Sequence, residues 1–478
     1  MKTLDITGIR KWGTVSIISI VLMLIIFHFA AGKSLYYEQI STKMISNTGV
    51  VGEITEGIVI QQYIHPNSDY INGISFFLGT YARENNGTMK ITLSNEENNY
   101  TLSEKNIDIS KLKDNSMYYV DFGKPIKVAS EDKYIISITT EDSEVGNAVT
   151  IYYNNTESTN GNVLYINGEK SSGELCFELI GENQNWFGQQ YWTFAIILVL
   201  IVISYYVYTL VLFQKGRNTK IINLVETSIK YRFLIKQLIS RDFKTKYKRS
   251  VLGFLWSFLN PLLTMIVQYV VFSTLFKSDI DNYPIYLLSA GIIFNFFTEA
   301  VGQGLGSIVS NSSLITKVYI PKAIYPVSKV LSTSINMFIS LVPLLLAVLI
   351  TGERITITYL VLPFLFVCVI LFCIGMSYIL SSAMVFFRDT QFLWGIISLL
   401  WMYATPIFYP ETIIPDNFRI ILKINPMYHF IHFFRVVLMQ QIAPQPNEFF
   451  YCFISAILVF IVGNWIFKKT QKKFVLYI

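Results

Sequence analysis

Few of the 478 residues are of types and spacings that do covalent chemistry. A phosphate loop needs Gly-x-x-x-x-Gly-Lys-Ser/Thr so that backbone amides can surround the phosphates. Gly168-Glu169-Lys170-Ser171 has only the end of that pattern and lacks its leading glycine, so ATP hydrolysis is not expected of this chain. Cys368, Cys373 and Cys452 fall in apolar runs and Cys176 stands alone in a polar region, which gives neither a disulfide framework nor a zinc set. His28, His65, His429 and His432 do not form a ligand set; the last two are three residues apart without a third partner. Glu411 and Asp416 are acidic residues in a loop next to an apolar run, and the sequence offers them no metal or base partner. What remains is a pair of isolated charges in apolar surroundings, Glu299 and Arg435. An ionisable group at membrane depth is costly and marks a functional position by default. For Glu299 the alternative is a wet cavity and a bond to a neighbouring helix; for Arg435 the alternatives are an anionic lipid-linked head or a side chain snorkelling to the interface.

The elements that would hold these charges are long apolar runs. The chain is 52% apolar and only 15% charged, with a mean hydropathy of +0.45, against about 25% charge in a soluble domain. Crossing a bilayer takes roughly 20 residues, and eight runs qualify: 13–31, 191–213, 252–276, 286–309, 323–350, 355–385, 392–408 and 449–467. Lys and Arg collect on the cytoplasmic side of membrane helices. Lys215, Arg217 and Lys220, then Lys317, Lys322 and Lys329, then Arg388, then Lys468, Lys469, Lys472 and Lys473 mark the cytoplasmic loops and tail. This is orientation information, not a nucleic-acid footprint. Both termini are expected inside a multi-pass plasma-membrane protein.

Residues 33–190 have a different character. Acids outnumber bases about two to one, and short runs alternate with a period of two. Met89, Ile91 and Leu93 make one such run, Val149, Ile151 and Tyr153 another, and Leu175, Phe177 and Leu179 a third. Turns are expected at Asn85-Asn86-Gly87, across 121–125, across 154–162, and at Asn167-Gly168. This predicts an antiparallel β-sandwich, held outside the cell by helices entering and leaving the membrane on either side. Tyr81, Tyr119 and Tyr152 are candidates for stacking on sugar rings, with core or ordinary surface positions as the alternative. The organisation expected is a cytoplasmic tail and first transmembrane helix over 1–32, the outer domain over 33–190, a second transmembrane helix over 191–213, a basic interfacial helix over 214–250, and a six-span core over 251–478.

The junction of the last two parts is the most distinctive stretch. Arg241-Asp242, Lys244, Lys246 and Tyr247 lead into Ser250-Val251-Leu252-Gly253-Phe254-Leu255-Trp256 and Pro261. Positive charge stacked against an apolar span pins this end inside. Upstream, Ile222, Val225, Ile229 and Phe233 line one face at helical spacing. Downstream, the inside loop Asn311–Pro321 carries Leu314, Ile315, Val318 and Tyr319, apolar side chains that need a partner or their own bundle to cover them.

The stretch from Arg241 to Pro261 resembles the opening motif of type-2 ABC transporter permeases of the polysaccharide-export class, over about the last half of the chain. The resemblance implies a mainly α membrane protein: a six-helix ABC exporter permease core with re-entrant outer helices, here with two extra N-terminal transmembrane helices flanking the extracytoplasmic antiparallel β-sandwich. It makes Arg241, Asp242, Lys244, Tyr247, Ser250, Gly253 and Trp256 the interfacial motif. It makes Leu314, Ile315, Thr316, Lys317, Val318, Tyr319 and Pro321 the segment that couples to an ATPase. It implies two copies of an ATP-binding cassette subunit carrying ATP and Mg, a second copy of this chain, and a lipid-linked polysaccharide substrate among membrane lipids. Candidates for channel or gate are Glu299, Phe296, Trp401, Tyr403, Pro406, Tyr409, Asn425, Pro426 and Arg435. Asn425-Pro426-Met427 is similar to a motif in the family's gate helices, and the proline-broken stretch 413–438 suits a re-entrant pair on the outer side. The other functions open are export of a drug or small lipid and membrane-embedded glycan synthesis.

Overall fold

The computed structural model describes residues 6–42, 44–97, 100–129, 131–156, 161–215, 217, 219–247, 251–276, 282–318, 320–415 and 418–478. Ser250, Tyr319 and Asp416 lie outside the described residues, as does the side chain of Tyr247. The chain forms two compact units, Leu35–Gln190 and the remainder.

The first unit is built from strands β1 Tyr37–Ser41, β2 Gly49–Val50, β3 Ile60–Ile64, β4 Tyr70–Gly79, β5 Thr88–Asn95, β6 Thr101–Asp108, β7 Ser116–Lys127, β8 Tyr134–Thr140, β9 Thr150–Asn154, β10 Val163–Ile166, β11 Glu169–Ser171, β12 Glu174–Leu175 and β13 Phe177–Gln184. Among the described residues these make two antiparallel sheets. One runs β1-β13-β4-β9-β12, with β7 on β4 and β2 on β9; the other runs β11-β10-β3-β8-β5-β6. One apolar core lies between them, with Ile74 and Phe76 from the first sheet and Ile91 and Ile138 from the second fully buried. The alternation read from sequence holds at Met89, Ile91 and Leu93, all buried. Asn167-Gly168 turns β10 into β11 with both residues at positive φ, as a two-residue hairpin of the primed type requires.

The turn expected across 121–125 is not a chain reversal. β7 runs through it, and the register against β4 jumps there, pairing Gly73 with Asp121 and Ile71 with Ile126. Gly123 at φ +83 donates its N–H to the Asp121 side chain at 2.8 Å. The local turn chemistry is satisfied inside a bulge instead of at a hairpin.

The second unit is helical: α1 Ile6–Ala31, α2 Tyr191–Gln214, α3 Lys220–Tyr247, α4 Trp256–Phe276, α5 Tyr283–Leu305, α6 Ser312–Lys317, α7 Ile324–Ile350, α8 Leu362–Phe386, α9 Thr390–Tyr403, α10 Arg419–Ile424, α11 Pro426–Arg435 and α12 Pro446–Thr470. Among the described residues seven helices are long and apolar enough to cross a membrane: α1, α2, α4, α5, α7, α8 and α12. The expected span over 392–408 is instead the 14-residue helix α9. That is about 21 Å of helix, short of a hydrocarbon core of about 30 Å. Beyond it Thr405-Pro406-Ile407-Phe408 is buried without helical structure. The apolar run ends where Pro406 cannot continue the helix.

α5 is the most enclosed of these helices, and it packs on α7 and α8. α8 and α12 cross at glycines: a Cβ on Gly375 would fall 2.6 Å from the Val459 carbonyl oxygen and 2.7 Å from Phe460 Cα. Such small-residue crossings let backbones approach where lipid gives no hydrophobic drive. Of the three glycines after Glu299, Gly304 serves this purpose; its Cβ would lie 2.5 Å from Ser377 Cβ on α8, while Gly306 faces open space.

Candidate functional site

The junction motif acts as a brace. On α3, Arg241 donates to Asp242 at 3.1 Å and to the Asn311 side chain at 3.4 Å, just before α6. Asp242 is paired with Lys329 of α7 at 2.9 Å. Lys244 is exposed. Gly253 sits at φ +52, a left-handed conformation that a side chain would strain, and Trp256 opens α4 half-exposed.

α3 turns a different face to the core than its apolar line suggests. Ile229 and Phe233 are exposed, Phe233 at 73%, whereas Tyr231, Leu234, Ile235 and Leu238 pack against residues of α6, α7, α8 and α12. Both sets have helical spacing; which one docks is fixed by the brace at Arg241 and Asp242. Ile222 is buried and, with Val225, lines a small cavity against α1 and α2.

α6 is anchored through one side chain. Ile315 is buried in a cluster with Leu238, Ile308, Tyr325 and Phe467. Leu314 and Val318 are exposed at 37% and 50%, with Thr316 and Lys317 exposed beside them, and Pro321 is half-buried. The helix thus rests on its own bundle through Ile315 and offers a small apolar surface through the other two.

Beside this region, α4, α5 and α7 line a cavity of about 490 Å³ that opens to the surface. Its lining includes Trp256, Asn260, Asn295, Phe296, Glu299 and Asn336. Glu299 is paired with Lys246 of α3 at 2.5 Å. It therefore sits at a cavity wall bonded to a neighbouring element, about 9 Å from the end of α5 that leads towards α6. The cavity extends to Ile292 and Ser340, about 20–24 Å along α5 and α7 from those same ends.

The gate candidates separate into packed and presented residues. Arg435 is buried, donating to the carbonyls of Pro406 at 2.7 Å, Ile407 at 3.1 Å and Tyr286 at 3.2 Å. Its guanidinium lies 3.3 Å from the centre of the Tyr286 ring. These bonds clamp the non-helical stretch after α9 onto α5. Asn425 caps α11 by accepting from Met427 N–H, accepts from Trp401 Nε1 at 2.7 Å and donates to Thr405 at 2.9 Å. Pro426 takes the first helical turn, where its missing N–H costs nothing. Pro406 is buried, and Tyr409 donates its hydroxyl to the Tyr403 carbonyl at 2.8 Å. Tyr403 itself is 60% exposed.

Sequence reasoning missed the partners of the histidines. His432 lies 3.3 Å from Glu411, which also accepts from the Tyr428 hydroxyl at 2.8 Å, and His429 lies 3.3 Å from Glu448. Glu411 is thus committed to a side-chain network within this region. No group of three or more metal-binding side chains occurs among the described residues. Asn260, Asn295 and Asn336 were also missed, although a lone amide within an apolar run was the available signal. Gly168–Ser171 forms a hairpin turn and β11, a geometry with no phosphate cradle.

Among the described residues, seven helices are long and apolar enough to cross a membrane, and three of them line a polar cavity. Residues 233–439 match the family described as ABC-2 type transporter. Over 255 residues the chain is 29% identical to the O-antigen export system permease protein RfbA of Myxococcus xanthus, covering 53% of this chain and 98% of that protein. It is also 29% identical to the RfbA permease of Klebsiella pneumoniae, over 50% and 93%. Identity with the polysialic acid transport protein KpsM of Escherichia coli is 22%, over 50% and 93%.

Proposed function

We propose that this chain is the permease subunit of an ATP-driven exporter moving a lipid-linked cell-surface polysaccharide outward across the plasma membrane. The observation that carries the reading is the surface of α6. Leu314 on the helix and Val318 just past its end are left open, while Ile315 holds the helix in place and Asn311 and Arg241 tie it to the interfacial helix. That surface suits an ATP-binding cassette subunit, which in this reading holds ATP and Mg and binds in two copies to a homodimer of the chain. The names of the relatives support the polysaccharide substrate. Both termini are taken to be cytoplasmic and residues 33–190 extracytoplasmic. The fifth crossing is completed by α9, the buried stretch after it, and α10 and α11 as a re-entrant pair on the outer side. Removing the chain from cells is expected to leave lipid-linked polymer inside. Polymer missing altogether would instead favour a role in synthesis, and normal surface polymer would end the proposal.

A second role falls to the outer domain. On one face of its first sheet Tyr119 is exposed and lies over Gly73, where a Cβ would come within 2.6 Å of the ring. Tyr152 and Phe77 lie beside each other on that sheet, 4.7 Å apart. Tyr81 is exposed with Arg83 5.0 Å from its ring centre. Flat, accessible rings of this kind suit sugar faces. A pull-down with the exported glycan tests this role, and no retention by the isolated surface polymer removes it.

A further inference from the structure

We propose that the cavity between α4, α5 and α7 is a binding subsite, within one copy of the chain, for a neutral, hydroxyl-rich group of one or two sugar residues; this rests on the export reading above. Its volume of about 490 Å³ lies within the roughly 300–1,000 Å³ of small-ligand sites. The lining is amide and hydroxyl with two aromatic walls. Asn260 on α4 and Asn295 on α5 both reach the cavity, both are exposed, and neither side chain makes a hydrogen bond among the described residues. Both helices are long and apolar enough to cross the membrane. Lipid tails cannot satisfy a carboxamide, so two open amides on such helices need a polar occupant.

The charge of the site indicates which occupant. Lys246 and Glu299 are the charged side chains in the lining, and they neutralise each other at 2.5 Å. Among the described residues of the lining, no excess positive charge remains to hold a phosphate. Amides and hydroxyls, by contrast, both donate and accept, as sugar hydroxyls do. Ser340, and Asn336, which accepts from Ser257 at 3.2 Å, extend this lining, while Trp256 and Phe296 offer ring faces to the apolar side of a pyranose.

The test uses the full-length chain in lipid nanodiscs, with Thr264→Cys as a reporter in the cavity wall. The four native cysteines are buried, so a water-soluble maleimide reads the new thiol. Decyl maltotrioside is expected to slow labelling at least fivefold, and decyl phosphate to leave it unchanged. The double substitution Asn260→Leu with Asn295→Leu keeps side-chain volume, removes both amides, and should abolish the protection without altering labelling in the absence of probe. Equal protection by both probes would overturn the proposal in favour of a generic amphiphile site. A thiol that never reacts would show the cavity covered by a second copy and also overturn it; Ser340→Cys, read in the same way, guards against a local effect at Thr264. Protection absent in this assay while deletion of the chain still traps polymer inside cells defeats the subsite alone. Normal export without the chain defeats the permease reading itself.

Discussion

Replacing Arg435 with Met keeps much of the side chain's length and removes its hydrogen bonds. Three carbonyl oxygens lose a donor, but not equally. The Tyr286 oxygen still receives Ser289 at 2.9 Å. The Tyr286 hydroxyl has one proton and a nearer acceptor in the Tyr409 carbonyl, at 2.7 Å against 3.3 Å for Pro406, so the Pro406 and Ile407 oxygens both lose their main donor. An orphaned buried carbonyl costs about 1–3 kcal/mol. The guanidinium stacked on the Tyr286 ring adds about 1–2 kcal/mol. Removing a buried charge returns part of its desolvation cost. The net expectation is a loss of about 3 kcal/mol, seen as a fall of several degrees in the midpoint of thermal aggregation of the detergent-purified chain. It should be accompanied by faster proteolysis between residues 404 and 418. Arg435→Lys is the informative control. Lysine keeps the charge but cannot fork to the neighbouring carbonyls of 406 and 407, so it should fall well below the wild type. If Arg435→Lys melts with the wild type and only the uncharged variant fails, the clamp argument is wrong and the charge itself, facing a lipid or substrate, is what matters.

Leu314→Asp with Val318→Asp should cut capture of the ATPase subunit at least tenfold in co-purification while leaving the melting midpoint unchanged; Ile315→Ala should instead lower stability by about 2–4 kcal/mol. Gly375→Leu should prevent α8 and α12 from closing, and a wild-type elution profile and yield would contradict that crossing. Glu299→Gln should keep membrane insertion but loosen α3, read as faster proteolysis in the 241–256 segment; unchanged export would dismiss a transport role for the carboxylate. In the β domain burial pushes the Cys176 thiol up to about 11 from an ordinary 9.0. The thiolate fraction at pH 8 is then about 100-fold below that of an exposed cysteine, so maleimide should label Cys176 only in urea or at strongly alkaline pH. Rapid labelling of the folded domain at pH 8 would refute its burial.

Much of the architecture was legible because its causes are local. Hydropathy summed over 20 residues located α1, α2, α4, α5, α7, α8 and α12, since crossing a hydrocarbon layer depends on length and composition. Period-two alternation located β5, and Asn167-Gly168 announced its hairpin because few other residues accept positive φ twice in succession. The resemblance around Arg241 and Trp256 rests on the same kind of signal: its residues are neighbours in the chain. Local reading failed where two local solutions were both acceptable. The stretch 121–125 has turn chemistry that serves a bulge as well as a hairpin, and α3 has two apolar faces, of which Leu234 and Leu238 dock while Phe233 does not.

What the tertiary structure alone decided are pairings between residues far apart in the sequence. In the sequence Arg435 reads as a partner for an anionic lipid-linked head or as a snorkelling side chain, and only the structure shows the Pro406 and Tyr286 carbonyls converging on it. Glu299 reads as a lone charge until Lys246 arrives 53 residues earlier in the chain to neutralise it. A side chain's solvation is set by whatever surrounds it, and no window of sequence contains those surroundings. The sequence by itself determined that this is a multi-pass membrane chain with a folded β domain inserted between two helices. Packing determined which of its polar groups hold the bundle together and which are left open to a ligand.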